Sequence, residues 1–245
     1  MCTLVILRRP DHDWPLLFAA NRDEMSDRPW RAPARHWSDR PEVIGGLDER
    51  AGGSWLGLND FGVAAAVLNR PGSLGPDPDK RSRGELVLEA LDHADALEAV
   101  RALRELDGRA FRSFNLVVAD NRDAFWLRSD GTGPVKQHSV PAGVSIITAH
   151  DLNSTESRRI RGFLPRFRGA KAPDPAAGEW ASWIELLSSR EGEPGTHEEG
   201  AMLLAREDGY GTLSSSLVAL PAWGKPVWMF AEGPPDATPF KPVAI

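Results

Sequence analysis

A thiol stands at position 2, and it is the only cysteine in 245 residues. Removal of Met1, usual when the next residue is this small, leaves Cys2 first in the chain, with a nucleophile and a free α-amine on one residue. An α-amine titrates at roughly 7.7–8.0, against roughly 10.4 for a lysine, so near neutral pH it can act as base to its own thiol. Such a centre also needs a group to orient the amine, a cation for the thiolate and donors for the oxyanion of a tetrahedral intermediate. The run Asn21-Arg22-Asp23-Glu24 offers these types. Asp23 suits the amine, Arg22 suits the thiolate or an anionic part of a substrate, and the Asn21 amide either donates to an oxyanion or buttresses a turn. Asn69 closes the apolar run ending Val67-Leu68, ahead of Arg70-Pro71-Gly72; it is either a second oxyanion donor or a turn former. His150 and Asp151 close a further strand.

These residues require elements to bring them together. Cys2 to Leu7 reads as a strand, Asp11-His12-Asp13 as a turn and Pro15 to Asn21 as the returning strand, so Cys2 and the 21–24 segment are expected to be neighbours across a hairpin. Met25 to Glu42 reads as a draped loop. Gly45-Gly46 and Gly52-Gly53 read as bracketing a turn, and Ser54–Leu58 and Phe61–Leu68 as a second hairpin. A helix is predicted over Arg83–Leu106, with Ser82 and Glu85 as a capping box. Strands follow at Phe114–Ala119, Ala124–Leu127 and Val144–Thr148. Helices are predicted from Ser154 to Phe163 and over Ala181–Ser188 and Glu198–Arg206, then strands Ser214–Leu220 and Pro226–Phe230. No βα alternation runs through this order, which argues for antiparallel sheets with helices outside in a single domain over 1–245.

Composition bounds the function. Hydrophobic content of 41% and charged content of 26% are those of a globular protein. A net charge of -6 argues against nucleic acid as a partner. A lone cysteine excludes an internal disulfide, and the order of apolar and basic residues after Met1 is unlike a signal peptide, so a cytoplasmic location is expected, without membrane insertion. The histidines lack metal-ligand spacing and no glycine-rich phosphate loop precedes a helix; neither a metal nor a cofactor is expected. The partner is a small-molecule substrate or ligand, and a homo-oligomer is compatible with the chain.

Met1-Cys2-Thr3, Asn21-Arg22-Asp23-Glu24, Gly52-Gly53-Ser54-Trp55-Leu56-Gly57, Asn69-Arg70-Pro71-Gly72 and Tyr210-Gly211-Thr212 together resemble the NRDE family, also called the transport and Golgi organisation family. That family is in turn similar to cysteine N-terminal nucleophile hydrolases, the choloylglycine hydrolases and penicillin V acylases. The resemblance implies an α+β, four-layer αββα sandwich: two stacked antiparallel sheets flanked by helices. It also implies hydrolysis of linear amide C–N bonds in a small N-acyl amide or lactam, with Cys2 as nucleophile, Asp23 holding the amine and Asn69 in the oxyanion hole. Two positions depart from the pattern: Ala20 and Leu213 stand where arginines are expected. A later hydrolase asparagine falls near Ala149, with His150 or Asn153 as stand-ins. The alternative is a lipid- or haem-handling protein of weak catalytic power, with Trp30, Trp37 and Trp55 lining an apolar pocket and Arg22 or Arg70 holding a carboxylate. Acyl transfer through the same thioester is a third reading.

Overall fold

A computed structural model describes residues 2–73, 75, 77–192 and 200–245. Met1, whose removal was expected from the sequence, and the first two residues of the helix expected from Glu198 lie outside the described residues. The chain divides into two compact units, one formed by 1–27 with 141–243 and the other by 28–140 with the last two residues.

The first unit is built on a six-stranded antiparallel sheet. The apolar run after Cys2 forms β1 (Thr3–Arg8) and returns as β2 (Leu16–Met25). In the other unit come β3 (Trp30–Ala34), β4 (Val43–Asp48), β5 (Leu56–Asn59), β6 (Ala64–Asn69), β7 (Phe114–Ala119), β8 (Ala124–Ser129) and β9 (Lys136–Ser139). The first unit then resumes with β10 (Gly143–Ile147), β11 (Tyr210–Leu220), β12 (Val227–Ala231) and β13 (Lys241–Pro242), in sheet order β10-β1-β2-β11-β12-β13. Strand β2 runs four residues past its predicted end, because β11 supplies partners as far as Met25. The 21–24 segment is therefore inside a central strand and not at a strand-to-loop junction.

Side chains alternate between the faces of a strand. On one face Val5, Leu7, Leu17, Ala19, Leu217 and Ala219 pack against helices α3 (Arg158–Gly169) and α4 (Ala181–Leu187), through Ile160, Phe163, Phe167 and Trp183. Helix α3 begins later than Ser154 because Ser157 is the residue that caps it, accepting from the Ile160 N–H at 3.3 Å. It also runs past Phe163, through Pro165, to Gly169. The expected helix over 198–206 is absent from its described part after Gly200. Instead Leu204 exchanges hydrogen bonds with Thr212 and Ala205 bridges Gly211, so this buried stretch runs alongside the start of β11.

The second unit holds a seven-stranded antiparallel sheet in sequential order β3 to β9. One of its strands corrects the sequence reading: Trp30–Ala34 is an edge strand where a loop was expected. The turn at 49–51 falls between Gly45-Gly46 and Gly52-Gly53 as expected, and Gly45-Gly46 itself lies within β4. Glycine is needed there because a Cβ on Gly46 would lie 2.2 Å from the Trp55 ring. The helix expected over 83–106 is two helices, α1 (Gly84–Leu91) and α2 (Ala96–Leu103). The break is specified locally: Asn59 Nδ2 donates to the carbonyls of Leu91 and His93, ending α1, and Asp95 accepts from the Glu98 N–H at 2.8 Å, starting α2. Both helices cover the sheet through Leu86, Val87, Leu91, Val100 and Leu103.

Candidate active site

The β1–β2 register pairs Thr3 with Asn21. Continued by one step, it sets Cys2 opposite Arg22. On the far side of β2, Arg22 pairs with Ser214 of β11. Opposed residues share a face, so Cys2, Arg22 and Ser214 form a row across three strands on the face turned away from α3 and α4. Asp23 falls on the helix-covered face. The expectation that one short segment surrounds the thiol thus resolves into two sides of one sheet, with the thiol and guanidinium on one and the carboxylate on the other.

Asp23 is the hub. Its backbone carbonyl accepts from the Cys2 thiol at 3.5 Å and from the Tyr210 hydroxyl at 3.2 Å. Its carboxylate is wholly enclosed: Oδ1 accepts from Thr212 Oγ1 at 2.7 Å, and Oδ2 accepts from Arg159 Nη1 at 3.0 Å. That guanidinium nitrogen also donates to Thr3 Oγ1 at 2.5 Å, and Thr212 Oγ1 accepts in turn from the Leu204 N–H at 3.0 Å. The charged side chains are 5% and 0% exposed. A buried ion pair needs this degree of additional hydrogen bonding to offset desolvation.

The electrostatics at Cys2 are opposed. Burial pushes the thiol up and the Asp23 carboxylate pushes it further, while Arg22 pulls it down; the net direction is upward. Burial, with the neighbouring thiol and the Asp23 and Glu24 carboxylates, likewise raises the Tyr210 hydroxyl, so it stays protonated and remains a donor to Asp23.

The remaining residues singled out in the sequence have definite places. Asn21 donates from Nδ2 to the carbonyls of Leu187 and Met202 and accepts from Ser215 Oγ at 2.7 Å. Its amide thus ties β2 to the chain around α4 and has no hydrogen left for an oxyanion. Asn153, at φ 59°, accepts from the Ile146 N–H and donates to Ser145 Oγ, clamping the turn after β10. His150 Nδ1 lies 3.4 Å from the Glu156 carboxylate. Asn69 and Arg70 belong to the second unit: Asn69 ends β6 opposite Phe114, and Arg70 donates to Asn115 Oδ1 at 2.7 Å. In that unit Trp30 and Trp55 meet edge to face, while the Trp37 indole donates to the Gly52 carbonyl. No group of three or more potential metal ligands occurs among the described residues, and no helix among them is long and apolar enough to cross a membrane.

The two arginine departures acquire a physical context. Ala20 lies on the same face of β2 as Arg22, and Leu213 is the inserted residue at a β-bulge between Thr212 and Ser214. The residue that sequence reasoning missed is Arg159. Its signal was present in a capping Ser157 followed by two arginines in the first turn of α3, the helix end at which a cation is least favoured.

The fold is shared with solved amide hydrolases. An N-acylethanolamine-hydrolysing acid amidase orthologue from Caenorhabditis elegans superposes with a TM-score of 0.57 at 14% identity, over 88% of this chain and 92% of that one. Penicillin V acylase from Agrobacterium tumefaciens gives 0.57 at 16% identity, over 95% and 83%. The conjugated bile acid hydrolase of Clostridium perfringens gives 0.52 at 12%, over 100% and 97%. This chain is therefore an α+β protein with the N-terminal nucleophile hydrolase fold. In sequence it is similar to the Transport and Golgi organization 2 homologues of Mus musculus, at 38% identity over 111 residues, and Bos taurus, at 40% over 111 residues. Each match covers 43% of this chain and 38% of the relative, so the matched region spans well under half the length of those proteins. The profile of one family, Transport and Golgi organisation 2, matches residues 1–168, more than half of the sequence, and the chain belongs to that family.

Proposed function

We propose that this protein is an N-terminal cysteine amide hydrolase acting on a small N-acyl amide or lactam. The observation that carries the reading is the placement of Cys2: its sulfur is 3.5 Å from the Asp23 carbonyl, with Arg22 as the opposing cation and the Asp23 carboxylate fixed behind it. After loss of Met1, the Cys2 amine accepts the thiol proton and the thiolate sulfur attacks the substrate carbonyl carbon. The tetrahedral intermediate collapses with cleavage of the C–N bond, the amine leaves with the proton, and water then hydrolyses the thioester. Asp23 orients the ammonium form of the amine, and the resemblance assigns the oxyanion to Asn69. A cytoplasmic setting belongs to this reading and rests on composition.

Intact mass, followed by a panel of N-acyl amides and lactams, tests it. The mature mass lacks Met1, and Cys2→Ala abolishes turnover. Asn69→Ala lowers kcat/KM roughly a hundredfold or more, the usual effect of losing one oxyanion donor. A retained Met1, or a Cys2→Ala variant as active as the wild type, overturns the reading.

One observation favours the second reading, a ligand-handling protein of weak catalytic power. Burial and Asp23 together hold the thiol in its neutral form, and a neutral thiol is a poor nucleophile. In that case an apolar carboxylic ligand binds equally to wild type and Cys2→Ala.

A further inference from the structure

Arg159 occupies the second position of α3, two residues after the Ser157 cap, where the helix dipole disfavours a cation. It is nevertheless buried, and its guanidinium bridges the two residues that flank the reactive centre. Nη1 donates to the Asp23 carboxylate at 3.0 Å and to the hydroxyl of Thr3, the residue that follows Cys2, at 2.5 Å. Burying a cation at the wrong end of a helix breaks a local rule, and such breaks concentrate at functional sites.

We propose that Arg159 is a positioning residue that sets the protonation of Cys2 by neutralising the Asp23 carboxylate behind it. The inference rests on the reading of Cys2 as the reactive thiol. An unopposed carboxylate at Asp23 holds a proton on both the thiol and the α-amine of Cys2, since a nearby negative charge favours their protonated forms. Pairing with Arg159 weakens that field, while Asp23 keeps its geometry through Thr212 and Arg159. The other ionisable groups around this centre are Arg22 and Glu24 on β2, Tyr210 on β11, Arg158 at the exposed start of α3, and His150, Asp151 and Glu156 between β10 and α3. Among the described contacts, Asp23 Oδ1 accepts from Thr212 and Oδ2 from Arg159.

Because Cys2 is the sole thiol, its titration can be read directly from the rate of alkylation by iodoacetamide against pH. Arg159→Gln moves the midpoint upward by about one pH unit, within the range that a single neighbouring charge produces, and Arg159→Lys restores most of the wild-type value. A purely structural role gives the opposite sign: loosening the fold exposes the thiol and moves its midpoint down, towards that of a free cysteine. A midpoint for folded Arg159→Gln at or below the wild-type value overturns the proposal. Should Arg159→Gln fail to fold, Arg159→Lys decides the matter: its ammonium neutralises Asp23 less completely than the guanidinium, so its midpoint lies above the wild-type value. A midpoint at or below the wild type, as a loosened fold gives, overturns the proposal. Alkylation requires no substrate, so failure to find a hydrolysed amide bears on the enzymatic reading and leaves this test intact.

Discussion

At the scale of single residues, the groups around Cys2 are divided between the two faces of β2. Arg22 faces the thiol and Asp23 faces the helices, a separation that follows from the two-residue period of a strand. The sequence shows the four adjacent letters, but which of them share a side is fixed by the strand that carries them. The same burial that protects the site makes Cys2 costly to ionise. Its pKa in the folded protein lies above the ordinary 9.0, so the native state retains the proton longer than the unfolded chain. That stabilising contribution is complete below pH 9 and is lost as pH rises through the folded-state value. Wild type is therefore expected to lose stability relative to Cys2→Ser as pH rises above about 9, measured by denaturant unfolding at each pH. Parallel curves for the two proteins across that range would show that the thiol titrates alike in both states.

At the scale of elements, the sequence was most legible where side-chain period and turn chemistry agreed. Strands β1, β7 and β12 and helix α4 fall close to their predicted ranges. The error at 83–106 is instructive, since the apolar stripe does continue across both α1 and α2. What divides them is the Asp95 cap and the Asn59 amide from the β5–β6 turn, more than thirty residues away in the chain. Asp95→Ala is expected to destabilise the protein by about 1 kcal/mol, seen as a fall in Tm or in the denaturant midpoint. No measurable change would mean that the break is set by Asn59 alone. The glycines of the 52–57 segment have separate reasons: a Cβ on Gly53 would come within 2.4 Å of the Gly84 backbone at the start of α1, one on Gly57 within 2.6 Å of Leu91 at its end, and Gly52 adopts a φ of 73°.

At the scale of the whole molecule, the first unit is assembled from two distant pieces of chain, 1–27 and 141–243. Strand β2 is held along its length by β11, and β1 by β10. A chain ending at Val140 keeps Cys2, Arg22 and Asp23 but loses both of those strands, α3 and the Arg159 anchor. Its thiol is expected to titrate as an ordinary cysteine does, in contrast to the raised value in the intact fold. A midpoint as high as that of the full chain would show that the hairpin alone builds the environment of Cys2. The sequence by itself determined where the single thiol stands, the hairpin that brings it beside residues 21–24 and the all-antiparallel plan, because these follow from local period, turn residues and a contiguous motif. Only the tertiary structure decided that Asn21 is a structural clamp, that the carboxylate and the thiol stand on opposite faces, and that the cation paired with Asp23 comes from a helix 136 residues further along. Those outcomes depend on which distant surfaces pack together, and burial, which sets the strength of every charge in the site, exists only once they have.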